Sequence, residues 1–223
     1  MMKFDRIYNR AAKRKGEENL QELLNSPTKS IKELSAISSE KYLSEMTKAI
    51  FKAGFVWKVI DNKWSGFEEA FWHFNVSRCA WMSHEDLESL YKDSRIVKNA
   101  KKINTVPINA AMILELEKEH ESFAHMIAHW PNSDFIGLLD LLNKKGSRLG
   151  RLTSQYFLRF IGKDGFIFSR DVVAALIDAE IIDKQPTSKT ALNNIQNAFN
   201  QWSDESGLGL AKISRTLGMS IDA

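Results

Sequence analysis

The amino-acid sequence predicts an all-α protein: long stretches of helix formers are broken by only four prolines, and no segment shows the β-branched alternation of a sheet. With 223 residues, 43% of them apolar, the chain can bury the core of one sizeable domain or of two small lobes.

The elements follow in order. Residues 4–25 have the pattern of an amphipathic helix interrupted near Gly16, and Asn25-Ser26-Pro27 reads as a turn. From Ser39 to about Val59, Leu43, Met46, Ile50, Phe51, Gly54 and Phe55 recur at helical spacing, with Ser39 as the N-cap. Ser65 and Gly66 precede an aromatic run, Phe67, Phe71, Trp72 and Phe74, on a further short helix. Ser83 caps a helix over 84–92, and others are expected over 94–119, 120–129, 134–143, 153–162, 170–179, 188–204 and 208–218. Most of the aromatic rings, six tryptophans among them, are expected in the core.

Composition narrows the function classes. One cysteine, Cys79, excludes an internal disulfide framework and a thiolate-rich zinc site. No apolar stretch reaches membrane-spanning length, and the first residues lack a secretory apolar run, so the expected location is the cytoplasm. A net charge of +3 permits nucleic-acid binding without requiring it. Local clusters are more informative: Arg10, Lys13, Arg14 and Lys15, and later Lys144, Lys145, Arg148 and Arg151. Each is open to two readings, a solvated face or a phosphate contact.

Leu149-Gly150-Arg151-Leu152-Thr153-Ser154 falls between two expected helices. A tight glycine turn there can aim backbone N–H groups and a helix N-terminus at a phosphate, with Arg151 adding a charge-assisted contact; an ordinary αα-corner has the same spacing. His125 and His129, four apart on a helix with His120 nearby, could form a metal face, but no carboxylate stands at an obvious third position. No metal and no cofactor are expected.

The segment around Gly150 resembles the helix-hairpin-helix motif of the DNA glycosylase superfamily, Leu-Pro-Gly-hydrophobic-Gly followed after two residues by Thr-Ala. Leu149, Gly150, Thr153 and Ser154 match, while Ser147 replaces the proline and Arg148 the first glycine. A second stretch is similar to 3-methyladenine DNA glycosylase I. It comprises Phe51-Lys52-Ala53-Gly54-Phe55-Val56-Trp57, then Phe67-Glu68-Glu69-Ala70-Phe71-Trp72-His73-Phe74-Asn75, Asp93 to Ile103, and Asn109-Ala110. The resemblance is good over residues 46–111.

This resemblance implies a helix-hairpin-helix glycosylase-like fold with two helical lobes flanking a cleft. The whole of 1–223 would form one unit, with a central lobe over about 39–145 and the hairpin and terminal helices over 1–38 and 146–223. It also implies a DNA repair glycosylase that flips an alkylated purine, 3-methyladenine foremost, out of double-stranded DNA and hydrolyses its N-glycosidic bond as a monomer.

Trp57 would stack on the extruded base, and an indole face suits a cationic one, although spacing alone also fits a core tryptophan. Gly150, Arg151 and Thr153 would grip phosphate. Leu152 stands where lyase members carry a Schiff-base lysine, which implies no strand cleavage. Asp171 lies near the place of the superfamily's catalytic aspartate, and equally suits an ordinary first-turn acid.

The chain departs from the family as well. Ala49 occupies the place of the base-recognising glutamate, with Glu45 one turn earlier as a substitute. The zinc ligands are missing. These departures support an alternative, a non-catalytic DNA-binding or damage-sensing module on the same scaffold.

Overall fold

A computed structural model describes residues 2–25 and 28–222; Ser26 and Pro27 of the expected turn lie outside the described residues. Among the described residues there is no strand, and no helix is long and apolar enough to cross a membrane. The chain divides into two compact units, one of residues 30–129 and 139–161, the other of 1–29, 130–138 and 162–223. The hairpin segment, grouped with the terminal helices in the lobes read from the sequence, therefore lies in the unit of the central helices.

In the first unit, Ser39–Lys52 is the central helix. Its N-cap is Ser38, not Ser39: the extended Ser38 accepts a hydrogen bond from Lys41 N at 3.3 Å. The helix buries Tyr42, Leu43, Met46, Ile50 and Phe51. Tyr42 is fully buried, edge-on to Phe123 and Phe157, and its hydroxyl donates to Leu34 O at 3.1 Å, so the ring is packed without an orphaned polar group.

The helix expected to run to Val59 stops at Lys52. Gly54 turns the backbone with φ +69°, and a new helix, Trp57–Asn62, begins three residues later. The helix expected over 94–119 is likewise divided. Asn99 caps a short turn, Ala100–Ile103, and Thr105–Glu119 follows with Pro107 in its first turn, where its missing N–H costs nothing. Two short helices escaped the sequence reading: Ile31–Ser35, held by a Ser30–Glu33 capping box, and Val76–Ala80, capped by Asn75.

The aromatic run is helical only over Trp64–Ala70. Trp72, His73 and Phe74 then adopt positive φ values of 51°, 52° and 57°. Left-handed backbone costs about 1–2 kcal/mol per non-glycine residue. Stacking offsets it, because the turn returns the Phe74 ring to lie parallel to Trp64 and Phe71, at 5.6 and 5.5 Å between centroids.

In the second unit, Phe135, Phe166, Phe199 and Trp202 form a continuous ring ladder, and Trp202 Nε1 donates to Met2 O at 2.9 Å. Helices Phe4–Lys15 and Glu17–Leu24, broken at Gly16 as expected, pack Ala11, Leu20 and Leu24 with Met219 at the end of Leu210–Met219. Asp164 caps that last helix, accepting from Leu210 N and Ala211 N at 3.0 and 2.8 Å.

Candidate functional site

A cavity of about 240 Å³ opens within the first unit. The end of the central helix and the following turn contribute Ala49, Lys52, Ala53, Gly54 and Trp57 to its wall. Leu152, Thr153, Tyr156 and Phe160 face them from the helix Arg151–Ile161.

The turn is set by two residues distant in sequence. Gly54 supplies the left-handed backbone that a side chain would strain. Buried Lys102 donates from Nζ to Phe51 O at 3.0 Å and to Ala53 O at 2.7 Å, taking carbonyls that a helix C-terminus leaves without intrahelical partners. Its pKa is pushed below the usual lysine value, by burial first and then by the nearby positive charge of Arg148. Beyond this turn, Phe55 and Val56 are 43% and 66% exposed, an apolar tip between the cavity-lining Gly54 and Trp57 in the chain.

Trp57 is the first residue of its helix and is 41% exposed. Its ring meets Tyr156 and Phe160 edge to face, at 5.2 and 5.7 Å between centroids. Lys52 extends its ammonium over this cluster, 5.1 Å from the centroid of Trp57 and 5.1 Å from that of Phe160. Asp61 accepts from Lys52 at 2.9 Å and from Lys48 at 3.0 Å, and these bonds hold its carboxyl below the usual aspartate value against a raising effect of burial.

The hairpin segment turns through one left-handed residue. Arg148, standing at the motif's first glycine, has φ +56° and is exposed. Fully buried Asn109 holds Ser147 from the helix Thr105–Glu119. Ser154 Oγ donates to Leu149 O at 2.9 Å, closing the turn from inside. Gly150 directly precedes the next helix; a methyl group there would meet nothing within 4 Å, so no internal crowding requires a glycine. Among the described residues the Arg151 guanidinium makes a long ion pair, Nε to Asp140 Oδ1 at 3.8 Å, and Nε has no hydrogen bond.

Of the residues singled out from the sequence, Ala49, Trp57, Leu152 and Thr153 line the cavity, with Gly150 and Arg151 immediately before Leu152 in the chain. Glu45 does not line it. Its carboxylate turns back along its own helix to Lys41 Nζ, at 2.6 Å, an i,i+4 pair. Asp171 belongs to the other unit, in the first turn of Arg170–Asp178 beside the N-cap Ser169. Among the described residues no group of three or more His, Cys, Asp or Glu side chains is arranged to hold a metal; His125 and His129 stack on each other at 3.8 Å.

Lys52, Tyr156 and Phe160 were not singled out in advance. The i,i+4 pair of aromatics after the hairpin was the available signal for the last two, since residues at that spacing share a helix face.

The model of the methyladenine glycosylase family matches residues 35–145. Among solved structures, 3-methyladenine DNA glycosylase I from Staphylococcus aureus is 21% identical, with a TM-score of 0.51 over 66% of this chain and 86% of that one. The 8-oxoguanine DNA glycosylase of Methanocaldococcus jannaschii is 16% identical, with a TM-score of 0.59 over 94% and 91% of the two chains. An 8-oxoguanine glycosylase/lyase of the same organism, in complex with a 15mer DNA containing 8-oxoguanine, is 17% identical at a TM-score of 0.57. No curated protein matches the chain. The fold is that of the helix-hairpin-helix DNA glycosylases.

Proposed function

Because the chain belongs to the methyladenine glycosylase family, we propose that this DNA glycosylase excises alkylated purines by flipping the nucleotide and hydrolysing the N-glycosidic bond. The observation that carries this reading is the cavity walled by Trp57, Tyr156 and Phe160. Three rings around a space open to solvent are what a base needs once it leaves the helical stack, since unstacking costs a few kcal/mol and aromatic contact returns part of it.

The hairpin supports the DNA-facing half of the reading. Gly150 and Arg151 lie at a helix start next to the cavity-lining Thr153, where backbone N–H groups and a guanidinium suit a phosphate. The exposed Phe55 and Val56 offer an apolar wedge for the base step vacated by the flipped nucleotide. Leu152, which lines the cavity where a Schiff-base lysine would stand, favours hydrolysis without strand cleavage. Asp171 is carried in this reading only as the aspartate available to stabilise an oxocarbenium-like sugar.

A second reading, a damage-sensing module without chemistry, is favoured by one observation: the cavity has Ala49 where the family has glutamate, and Glu45 does not replace it. The deciding experiment is incubation of folded wild type and Trp57→Ala with methylated duplex DNA, with chromatography of the released bases. Release by wild type and its loss by at least about tenfold in Trp57→Ala, from the stacking removed, is the expected result. Binding without release of any base would leave the sensing module.

A further inference from the structure

The cavity is walled by rings whose faces attract a cation, and a cation of the chain is already on them. Lys52 Nζ lies 5.1 Å from the centroids of both Trp57 and Phe160, and its side chain is only 11% exposed. A single carboxylate, Asp61, serves both Lys52 and Lys48, so two ammonium groups are answered by one negative charge. The cavity lining itself contains no carboxylate, and Glu45 is engaged by Lys41.

We propose that Lys52 is the specificity-determining residue of the pocket and selects an uncharged alkylated purine over a cationic one. The inference rests on the glycosylase reading above and refines its substrate class. A base with a fixed positive charge, such as 3-methyladenine or 7-methylguanine in DNA, would enter against an ammonium within a few ångströms, on ring faces already engaged. An uncharged purine with a ring nitrogen or exocyclic oxygen lone pair directed at Lys52 meets a donor instead.

The chemistry agrees with this preference. A cationic base departs as a neutral molecule, whereas an uncharged one departs with developing negative charge that an ammonium stabilises. The C1′–N9 bond breaks with its electron pair passing to the purine, and a purine nitrogen takes a proton from Lys52. Water adds its oxygen to C1′, and the proton it loses restores the ammonium.

The test measures base release from two kinds of duplex, one carrying 1,N6-ethenoadenine or O6-methylguanine, the other carrying 7-methylguanine and 3-methyladenine. Each rate is divided by the spontaneous loss of the same base. Wild type is expected to give a rate enhancement at least about tenfold larger on an uncharged lesion, the scale of one unfavourable charge contact. Lys52→Glu should reverse the ratio, and Lys52→Met, which keeps the packing, should level it. Cationic bases preferred by wild type, with the ratio unmoved in Lys52→Met, would overturn the role of Lys52 and leave the glycosylase reading intact. Release of neither kind by a folded, DNA-binding protein would overturn the glycosylase reading, and this inference with it.

Discussion

Asn109 and Ser147 are joined by two hydrogen bonds running in opposite directions: Ser147 N donates to Asn109 Oδ1 at 2.7 Å, and Asn109 Nδ2 donates to Ser147 O at 3.2 Å. The side chain thus completes the backbone of the hairpin from a helix 38 residues earlier in the chain. Asn109→Ala removes both partners and leaves backbone groups to find water, so it should destabilise the protein by about 1–3 kcal/mol. Urea unfolding would measure this, and a change under about 0.5 kcal/mol, the range of an ordinary surface substitution, would show that the pair carries no such burden.

Arg151 is the next residue to change. If its guanidinium meets a phosphate, Arg151→Glu should weaken binding to duplex DNA and flatten the dependence of log K on log salt by about one phosphate's worth. Loss of the long Asp140 pair contributes little to stability, because both groups are partly exposed. Affinity and slope both unchanged would remove Arg151 from the DNA contact.

The Asp61 carboxyl titrates below its ordinary value because Lys52 and Lys48 bond its charged form. Its contribution to stability is therefore fully present above the unfolded pKa, near 4, and is lost as pH falls through the lower folded value. Denaturant midpoints measured from pH 6 down to pH 2 should fall more steeply in wild type than in Asp61→Asn, with the difference confined to the region below about pH 4. Parallel curves would show that the lysine contacts are not formed in solution.

Much of the fold could be read locally. Gly16 broke the first helix as read, and Ser83 caps its helix through Asp86 N at 3.1 Å, because breaks and caps depend on residues within one turn. The end of the central helix was misjudged for the opposite reason. Its apolar spacing continues through Gly54 and Phe55, and the Lys102 ammonium that takes its last carbonyls arrives from 49 and 51 residues away.

The same division holds at the site. Trp57 and the hairpin stand out through a motif, and Arg148, at the place of the pattern's first glycine, has the left-handed backbone that favours glycine. Lys52 was invisible as a pocket residue, since nothing in a helix ending with lysine states that Phe160 will pass beneath it. Glu45 was offered as a replacement for the absent glutamate because it shares a helix face with Ala49; rotamer and a neighbouring lysine, which no spacing rule supplies, send it elsewhere.

The lysine beneath the Ala53–Gly54 turn also bears on how a ligand is met. Carbonyls bound by a buried ammonium do not wait for a partner, so the turn that leads to Phe55 and Trp57 is held by bonds within the chain itself. Conformational entropy that a mobile recognition loop would surrender on association has already been surrendered in folding. Contact made at this loop is therefore preorganised, and its free energy can go to holding the ligand rather than to ordering the receptor.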